Sequence, residues 1–417
     1  MKKSAFVVLL HIAACAAANN YMGDFLEFLL GPRLGNRTRA HPKSDHQTTE
    51  QIVRSFGYRL DTHLVTSGTG HILTLHRIPM GREPRAEVEP RPVAFIHHGL
   101  LGSSDMWLLR GPPQDLPYLL ADSGYDVWLF NVRGNTHSRK HATLNADEDP
   151  SYWDFGIEEI GYHDLPATID YILNKTRQKD LFFLGHSIGS SSGLILCSLR
   201  PEYRKRIRLF LALGPLANIK HPLMRVHTVT FSLGLILLRF AESQNIHEIM
   251  PRRPYFSQIL QSVCEDDSPL QALCLSMMFS IVGKDLSEFN TKTFPRFVEY
   301  YPSGTSLNIL ADVFQYYLSG EFTRRDFGAR LNVERYNDTK PPTYDLSKVT
   351  VPVSLHYGPG DLLVSREDID DLCLKLPLCV GKFEVAHKQF NHLDFVLAIN
   401  GRSLLYDSLV QVMEKYR

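Results

Sequence analysis

The sequence predicts an α/β protein, with a mostly parallel central sheet, helices on both faces and an inserted helical cap. Short apolar runs of the kind found in buried parallel strands alternate with helix-like segments through the first half of the chain. The alternation stops near residue 214, gives way to helix-like sequence, and resumes at residues 351–357. At 417 residues, with 44% hydrophobic side chains, the chain is long enough for one large domain with such an insertion.

The predicted strands begin with a hairpin, because β-like runs at 63–66 and 72–78 flank a Ser-Gly-Thr-Gly turn. Continuous apolar runs then predict buried strands at 93–97, 126–130, 181–184 and 207–213. A helix is expected over 116–123, between the first two of these runs. After the strand at 351–357, residues 383–386 are expected to form the last strand of the sheet.

The amino terminus has the three parts of a secretory signal peptide. Two lysines precede the apolar run 5–14, and small residues at 15–18 predict cleavage after Ala18. A bacterial lipoprotein box ending at Cys15 is the alternative for this segment. The expected divisions are a signal peptide (1–18), a lead-in (19–50), the first part of the α/β core (51–216), the cap (217–307) and the second part of the core (308–417).

Charge and composition exclude several classes of protein. The chain has 45 Lys and Arg against 45 Asp and Glu, and cleavage removes two lysines to leave 43 against 45. No basic stripe indicates a nucleic-acid partner, and no zinc-type spacing of Cys and His is present, so neither a metal nor another cofactor is expected. Three N-x-[ST] triplets favour a glycosylated secretory product, with acceptors at Asn36, Asn174 and Asn337.

Two apolar segments of the helix-like region, 226–240 and 270–282, are each too short to span a membrane. We interpret them as amphipathic cap helices that pack on the core. The alternative is that one face lines an acyl pocket or meets a lipid surface.

Five cysteines remain after cleavage. Cys197 lies among leucines and is expected to be a buried, unreactive thiol. The other four form two pairs that could each close a small loop: Cys264 with Cys274, and Cys373 with Cys379.

Residues 185–189, Gly-His-Ser-Ile-Gly, follow an apolar strand and precede a helix-like run. A Gly-x-Ser-x-Gly turn between strand and helix is typical of a nucleophile elbow, in which glycines let the strand and helix approach closely. The pattern predicts Ser187 as a nucleophile. An ordinary strand-to-helix turn rich in small residues is the alternative.

A serine nucleophile needs a histidine base and a carboxylate that orients the base. Asp361 follows the strand at 351–357 and His392 follows the last strand, so the order nucleophile, acid, histidine is that of an α/β hydrolase. The alternatives are Asp368 or Asp370 for the acid and His387 for the base.

The oxyanion hole of such a site is built from backbone N–H groups. The N–H that follows the nucleophile belongs to Ile188. We assign the second donor to Leu100, in the loop after the strand at 93–97, and an apolar side chain there is no objection because the donor is the main chain.

Seven short motifs occur in order along the chain: HGLL (98–101), GYDVW (124–128), RGNT (133–136), SRKH (138–141), DLPA (164–167), GHS (185–187) and NHLDF (391–395). Through these motifs the chain resembles the animal acid lipase family from about residue 50 onward. The resemblance implies hydrolysis of triacylglycerols and, in some members, sterol esters, at a lipid–water interface. It also implies a secreted or lysosomal enzyme with a Ser187–His392–Asp361 triad, oxyanion donors at Leu100 and Ile188, a lid in the cap, and a Cys264–Cys274 disulfide.

Two features depart from the family pattern. Ile188 stands where members usually have Gln, and the cap resembles the family only loosely, which leaves the acyl-chain preference open. The run 133–141 is interpreted as structural.

The alternatives to a lipase are a soluble short-chain carboxylesterase and a non-catalytic lipid carrier on the same scaffold. Epoxide hydrolase or dehalogenase chemistry would need a carboxylate at the elbow, where this chain has a serine.

Overall fold

The structure, a computed structural model, describes residues 46–83, 90–221 and 225–417, without the side chains of 225–231 and 254–256. The predicted signal peptide, most of the lead-in and the acceptor Asn36 lie outside the described residues.

The described part of the chain forms a nine-stranded sheet, which confirms the predicted α/β class. Its strands are β1 (Asp61–Thr66), β2 (His71–Ile78), β3 (Val93–His97), β4 (Asp126–Leu129), β5 (Lys140–His141), β6 (Leu181–His186), β7 (Ile207–Leu213), β10 (Val353–Tyr357) and β11 (Cys379–Glu384), and a separate pair joins β8 (Glu248–Ile249) to β9 (Thr305–Ser306). The spatial order of the sheet is β1-β2-β4-β3-β6-β7-β10-β11, with β5 beside β2. β1 and β2 form the antiparallel hairpin, and neighbours from β4 to β11 are parallel.

The central strands are apolar throughout because both faces of the sheet are covered. In β6, Phe183 packs into one hydrophobic cluster, while Phe182 and Leu184 pack into a second one. The covering helices and the helices of the insertion are α1 (Thr49–Ser55), α2 (Leu116–Asp122), α3 (Ile157–Glu159), α4 (Leu165–Thr176), α5 (Ile188–Leu199), α6 (Arg225–Ser243), α7 (Pro254–Cys264), α8 (Gln271–Val282), α9 (Phe294–Tyr300), α10 (Leu307–Ser319), α11 (Ala329–Tyr336), α12 (Arg366–Lys375), α13 (Asp394–Leu397) and α14 (Asp407–Glu414).

The last strand starts earlier than predicted. β11 spans Cys379–Glu384, so only its final two residues belong to the run expected at 383–386. Its side chains alternate between exposed and half-buried because it lies at the edge of the sheet. An edge strand therefore lacks the continuous apolar run that marks the central strands in the sequence.

Helices α6 to α9 lie between β7 and β9, in the region expected to form the cap. One side of α6 packs through Leu238 and Ala241 in a small hydrophobic cluster with Leu307 of α10. Helical sequence continues through α10 and α11, past residue 307, before the sheet resumes at β10. α10 also packs Ile309 into the main core, so it connects the cap helices with the sheet.

Both cysteine pairs are disulfide-bonded, with Cα–Cα distances of 5.6 Å for Cys264–Cys274 and 5.4 Å for Cys373–Cys379. The first disulfide joins α7 to α8 and the second joins α12 to β11. Cys197 is buried, and burial raises the pKa of its thiol to about 12, which makes it unreactive.

Among the helices in the described ranges, none is long and apolar enough to cross a membrane.

Candidate active site

Ser187 occupies a sharp turn between β6 and α5. Its backbone has φ +57° and ψ −121°, a conformation that a residue with a side chain rarely adopts and that marks local strain. The flanking glycines are required sterically. A Cβ on Gly185 would lie 2.7 Å from the carbonyl carbon of Gly189, and one on Gly189 would lie 2.7 Å from the carbonyl oxygen of His97. The turn therefore has the geometry of a nucleophile elbow.

Asp361 and His392 are brought together by the loops after β10 and β11. Nδ1 of His392 lies 2.7 Å from Oδ2 of Asp361, and both side chains are buried. The other carboxyl oxygen accepts the N–H groups of Leu363 at 2.8 Å and Val364 at 3.3 Å, which fixes its orientation. Because an ionised carboxyl only accepts hydrogen bonds, this pairing puts the imidazole proton on Nδ1 and leaves the lone pair on Nε2.

The His392 ring lies next to the elbow. Ser187 donates its backbone N–H to Leu213 at 2.9 Å, and a Cβ on the following residue, Gly214, would lie 3.1 Å from Cε1 of His392. Nε2 of His392 is buried and makes no hydrogen bond with another described residue. His186 packs on the His392 ring at 4.9 Å between ring centroids, and burial lowers the pKa of His186 well below its usual value, so it stays neutral.

The two predicted oxyanion donors belong to segments that flank Ser187. Ile188 is the first residue of α5, where backbone N–H groups have no acceptor within the helix. Leu100 follows Gly99, at which an added Cβ would lie 3.1 Å from the Cβ of Ser187. The Ile188 side chain is buried in the core, and the predicted donor is its backbone N–H, which does not depend on the side chain.

His98 supports the Leu100 loop, a role that sequence analysis missed. Burial lowers its pKa to about 4, so the ring is neutral. Nδ1 lies 2.8 Å from the carbonyl oxygen of Gly99, and Nε2 accepts the N–H of Val132 at 3.1 Å. The only sequence signal for this role was the position of His98 after a strand, because its donor Val132 lies in a different loop from its acceptor Gly99.

The alternative acids and base are engaged elsewhere. Asp368 accepts the backbone N–H of Lys220 at 2.8 Å, and Asp370 forms a surface ion pair with Lys382. His387 pairs with the buried Asp285 at 2.6 Å. Of the carboxyl and histidine candidates in this region, the structure brings only Asp361 and His392 together beside Ser187 within the described residues.

The run 133–141 contributes buried ion pairs that sequence analysis did not identify. Arg133 is 1% exposed and lies 2.7 Å, Nε to Oδ2, from Asp164 at the start of α4. Asp105 accepts hydrogen bonds from His137 at 2.7 Å and from Arg252 of the cap at 2.8 Å. These contacts join the run to the start of α4 and to the loop after β3.

No group of three or more His, Cys, Asp or Glu side chains in the described ranges is arranged to hold a metal ion.

Residues 92–228 match the model of the alpha/beta hydrolase fold, and residues 49–111 match that of a partial alpha/beta-hydrolase lipase region. The chain is 36% identical to Lipase 1 of Drosophila melanogaster, covering 88% of this chain and 80% of that protein. It is 34% identical to the gastric triacylglycerol lipase of Homo sapiens, covering 93% and 96%. A soluble variant of monoglyceride lipase from Saccharomyces cerevisiae shares the fold, with a TM-score of 0.52, 16% identity and coverage of 86% and 95%. Relatives at this level of identity over most of their length show that the chain belongs to the animal acid lipase family and is a carboxylic ester hydrolase.

Proposed function

We propose that this protein is a lipase that cleaves the ester bonds of triacylglycerols through Ser187, His392 and Asp361. The observation that carries the proposal is the buried His392–Asp361 hydrogen bond of 2.7 Å beside a strained serine elbow. The substrate class is supported by relatives named gastric triacylglycerol lipase, whose similarity extends over most of both chains. Sterol esters are a second candidate substrate, on the resemblance to acid lipases.

In the proposed reaction, Oγ of Ser187 attacks the ester carbonyl while Nε2 of His392 takes the hydroxyl proton. The N–H groups of Leu100 and Ile188 donate to the oxyanion that forms on the carbonyl oxygen. The tetrahedral intermediate then collapses, His392 returns the proton to the leaving alcohol oxygen, and an acyl-Ser187 ester remains. Water attacks this ester with His392 again as base, which releases the fatty acid and restores Ser187.

Asp361 has a separate role in this scheme. Its hydrogen bond keeps a proton on Nδ1 of His392, which leaves the lone pair of Nε2 available to take the serine proton. The carboxylate also stabilises the imidazolium that forms when Nε2 takes the serine proton. Its backbone donors from Leu363 and Val364 hold it in place throughout.

The cap supplies an apolar surface for a lipid–water interface. On α6 the side chains at positions i, i+3, i+4 and i+7 are 45–63% exposed and share one helix face: Leu233, Ile236, Leu237 and Phe240. On α8, Met277 and Ile281 are 42% and 54% exposed. Exposed apolar faces of this kind support contact with aggregated lipid over a purely structural role for these helices.

A secreted or lysosomal location is part of the proposal, supported by the signal-peptide pattern of residues 1–18. The acceptors Asn174 and Asn337 are both exposed on the surface, where a glycan can be attached.

The test is a comparison of purified protein on emulsified long-chain triacylglycerol, cholesteryl ester and a soluble short-chain ester, from acid to neutral pH. A lipase turns over the emulsified triacylglycerol, and its rate rises steeply once substrate exceeds its solubility. Turnover of the soluble ester alone would replace the proposal with a short-chain carboxylesterase. Lipid binding with no hydrolysis of any ester would replace it with a lipid carrier.

A further inference from the structure

The residues that follow α8 connect the cap to both loops of the proposed acid–base pair. The carbonyl oxygen of Val282, the last residue of α8, accepts the N–H of His392 at 3.2 Å and that of Leu362 at 3.4 Å. Leu362 is the neighbour of Asp361. One cap carbonyl thus holds the backbone of both loops, and we call residues 282–288 the strap.

Gly283 allows the strap to lie directly on these loops. Its φ is +106°, and an added Cβ would lie 2.1 Å from the carbonyl oxygen of Gly360 and 3.0 Å from the Cβ of Asn391. A side chain at this position would force the strap away from both loops.

The strap also carries a buried carboxyl group, Asp285, which has four hydrogen-bond partners and a free acceptor position on Oδ2. Oδ1 accepts the N–H of Ser287 at 2.9 Å, its hydroxyl at 2.7 Å and the N–H of Glu288 at 3.2 Å. Oδ2 lies 2.6 Å from Nε2 of His387. Burial by itself would raise the pKa of Asp285, but these hydrogen bonds outweigh burial and lower it, so the group is ionised.

Asp394, two residues after His392, faces this carboxylate. It is 0% exposed, and its Oδ2 accepts the N–H of Asn391 at 2.6 Å. Its Oδ1 is also buried and has no donor among the described residues, while the Asp285 carboxyl lies within hydrogen-bonding reach. Two ionised carboxyl groups cannot form a hydrogen bond, because both are acceptors only. A contact between them requires one proton.

We propose that Asp394 holds a proton in the working enzyme and donates it to the Asp285 carboxylate, so that the shared proton fixes the strap against the His392 loop. Asp285 and Asp394 are then positioning residues, which act on the reaction through His392. The inference rests on the proposed catalytic role of His392. It makes the active arrangement depend on pH, because a second negative charge in this buried contact would separate the strap from the loop.

The charged and titratable groups around Asp394 favour its neutral form. Burial raises its pKa to about 8, and the negative charges of Asp285 and Glu288, both on the strap, add to this effect. His387, from the preceding loop, is paired with Asp285. The buried Tyr406 interacts electrostatically with Asp394 and also with Arg110 and Asp115, which form an ion pair with each other.

The test is the replacement Asp394→Asn. The amide oxygen can accept from Asn391 and the amide NH₂ can donate to Asp285, so the contact no longer needs a proton. With a soluble ester, kcat/KM of the wild-type enzyme is expected to fall about tenfold per pH unit above about pH 8, through kcat and not KM. In Asp394→Asn this alkaline fall is expected to disappear up to about pH 9. Asp370→Asn, the same change in a surface ion pair, should keep the wild-type profile.

Thermal unfolding provides a readout that does not depend on activity. The folded state keeps a proton on Asp394 that the unfolded chain releases above about pH 4, so this group destabilises the fold progressively from about pH 4 to pH 8. The unfolding temperature of the wild type should therefore fall relative to that of Asp394→Asn over this window. Equal pH profiles and equal unfolding curves for the two proteins would overturn the inference.

If Asp394→Asn does not fold, Asp285→Asn tests the same contact. Without the facing charge Asp394 ionises at lower pH, but the amide NH₂ introduced at position 285 can donate to its carboxylate, so no repulsion develops and the alkaline fall should disappear. An unchanged alkaline fall in that variant would also overturn the inference. Failure of the proposed function is distinguishable, since the wild-type enzyme would then hydrolyse no ester at any pH while the unfolding experiment still reports on the shared proton.

Discussion

Close packing at the flanking glycines holds the backbone of Ser187 in its strained conformation. In the proposed reaction, the hydroxyl of Ser187 is the nucleophile. We expect Ser187→Ala to reduce kcat about 10⁶-fold, because the loss of a triad serine removes the nucleophile while the rest of the site remains. The fold should be retained, since only one oxygen atom is removed. A phosphonate ester should label the wild-type protein at Ser187 alone, as measured by peptide mass spectrometry.

Ser192→Ala is a matched control for this prediction. Ser192 is a buried serine of α5, the helix that follows the elbow, and its hydroxyl donates to the carbonyl of Gly189. This variant should keep both activity and labelling. Substantial esterase activity in Ser187→Ala would show that another residue is the nucleophile.

Helix α6 packs against the protein on one side and exposes apolar side chains on the other. Leu238 and Ala241 are buried against α10, whereas Ile236 and Phe240 are about 60% exposed on the other side. Sequence analysis favoured helices that pack on the core and left a lipid-facing side as the alternative. On α6 both the buried and the exposed side carry apolar residues, and contacts with the described residues leave the apolar side chains of the exposed side 45–63% exposed.

We therefore expect the double variant Ile236→Asp/Phe240→Asp to lose turnover of emulsified long-chain triacylglycerol by at least tenfold while keeping that of a soluble short-chain ester. Two charges on this face would weaken contact with a lipid surface without disturbing the buried side of α6. Ser243→Asp, at an exposed position of the same helix, controls for added charge. Equal losses on both substrates would mean that the face stabilises the fold and does not contact lipid.

Buried ion pairs connect segments of the fold that are distant in sequence, and we expect them to contribute to its stability. The Arg133–Asp164 pair is 1% and 0% exposed and connects the loop after β4 to the start of α4. Asp164→Asn should lower the free energy of unfolding by about 3–5 kcal/mol, because it leaves the Arg133 charge buried and without a partner. Urea unfolding followed by circular dichroism measures the change.

Two further variants serve as controls for the loss of stability expected in Asp164→Asn. Glu334→Gln breaks an exposed ion pair with Arg330 and should change the free energy of unfolding by no more than about 0.5 kcal/mol. Arg133→Met/Asp164→Leu removes both buried charges and should cost less than Asp164→Asn alone. A loss in Asp164→Asn as small as that of the surface variant would contradict the assignment.

The amino-acid sequence by itself determined the features that depend on neighbouring residues. The apolar runs of β3, β4, β6 and β7 identify central strands because a strand covered on both faces needs apolar side chains at every position. The elbow at Ser187 is equally local, since its glycines are required by contacts within one strand–turn–helix unit and with the adjacent strand. The edge strand β11 was misplaced by four residues because its half-exposed side chains carry no such pattern.

The tertiary structure decided which polar side chains meet. Sequence order left Asp361, Asp368 and Asp370 as possible acids, and only the convergence of the loops after β10 and β11 pairs one of them with His392. The facing carboxyl groups of Asp285 and Asp394, 109 positions apart, have no sequence signal for the same reason. Hydrogen bonds and charge interactions act over a few ångströms of space, and the distance between two loops in space is set by the packing of the whole sheet and cap.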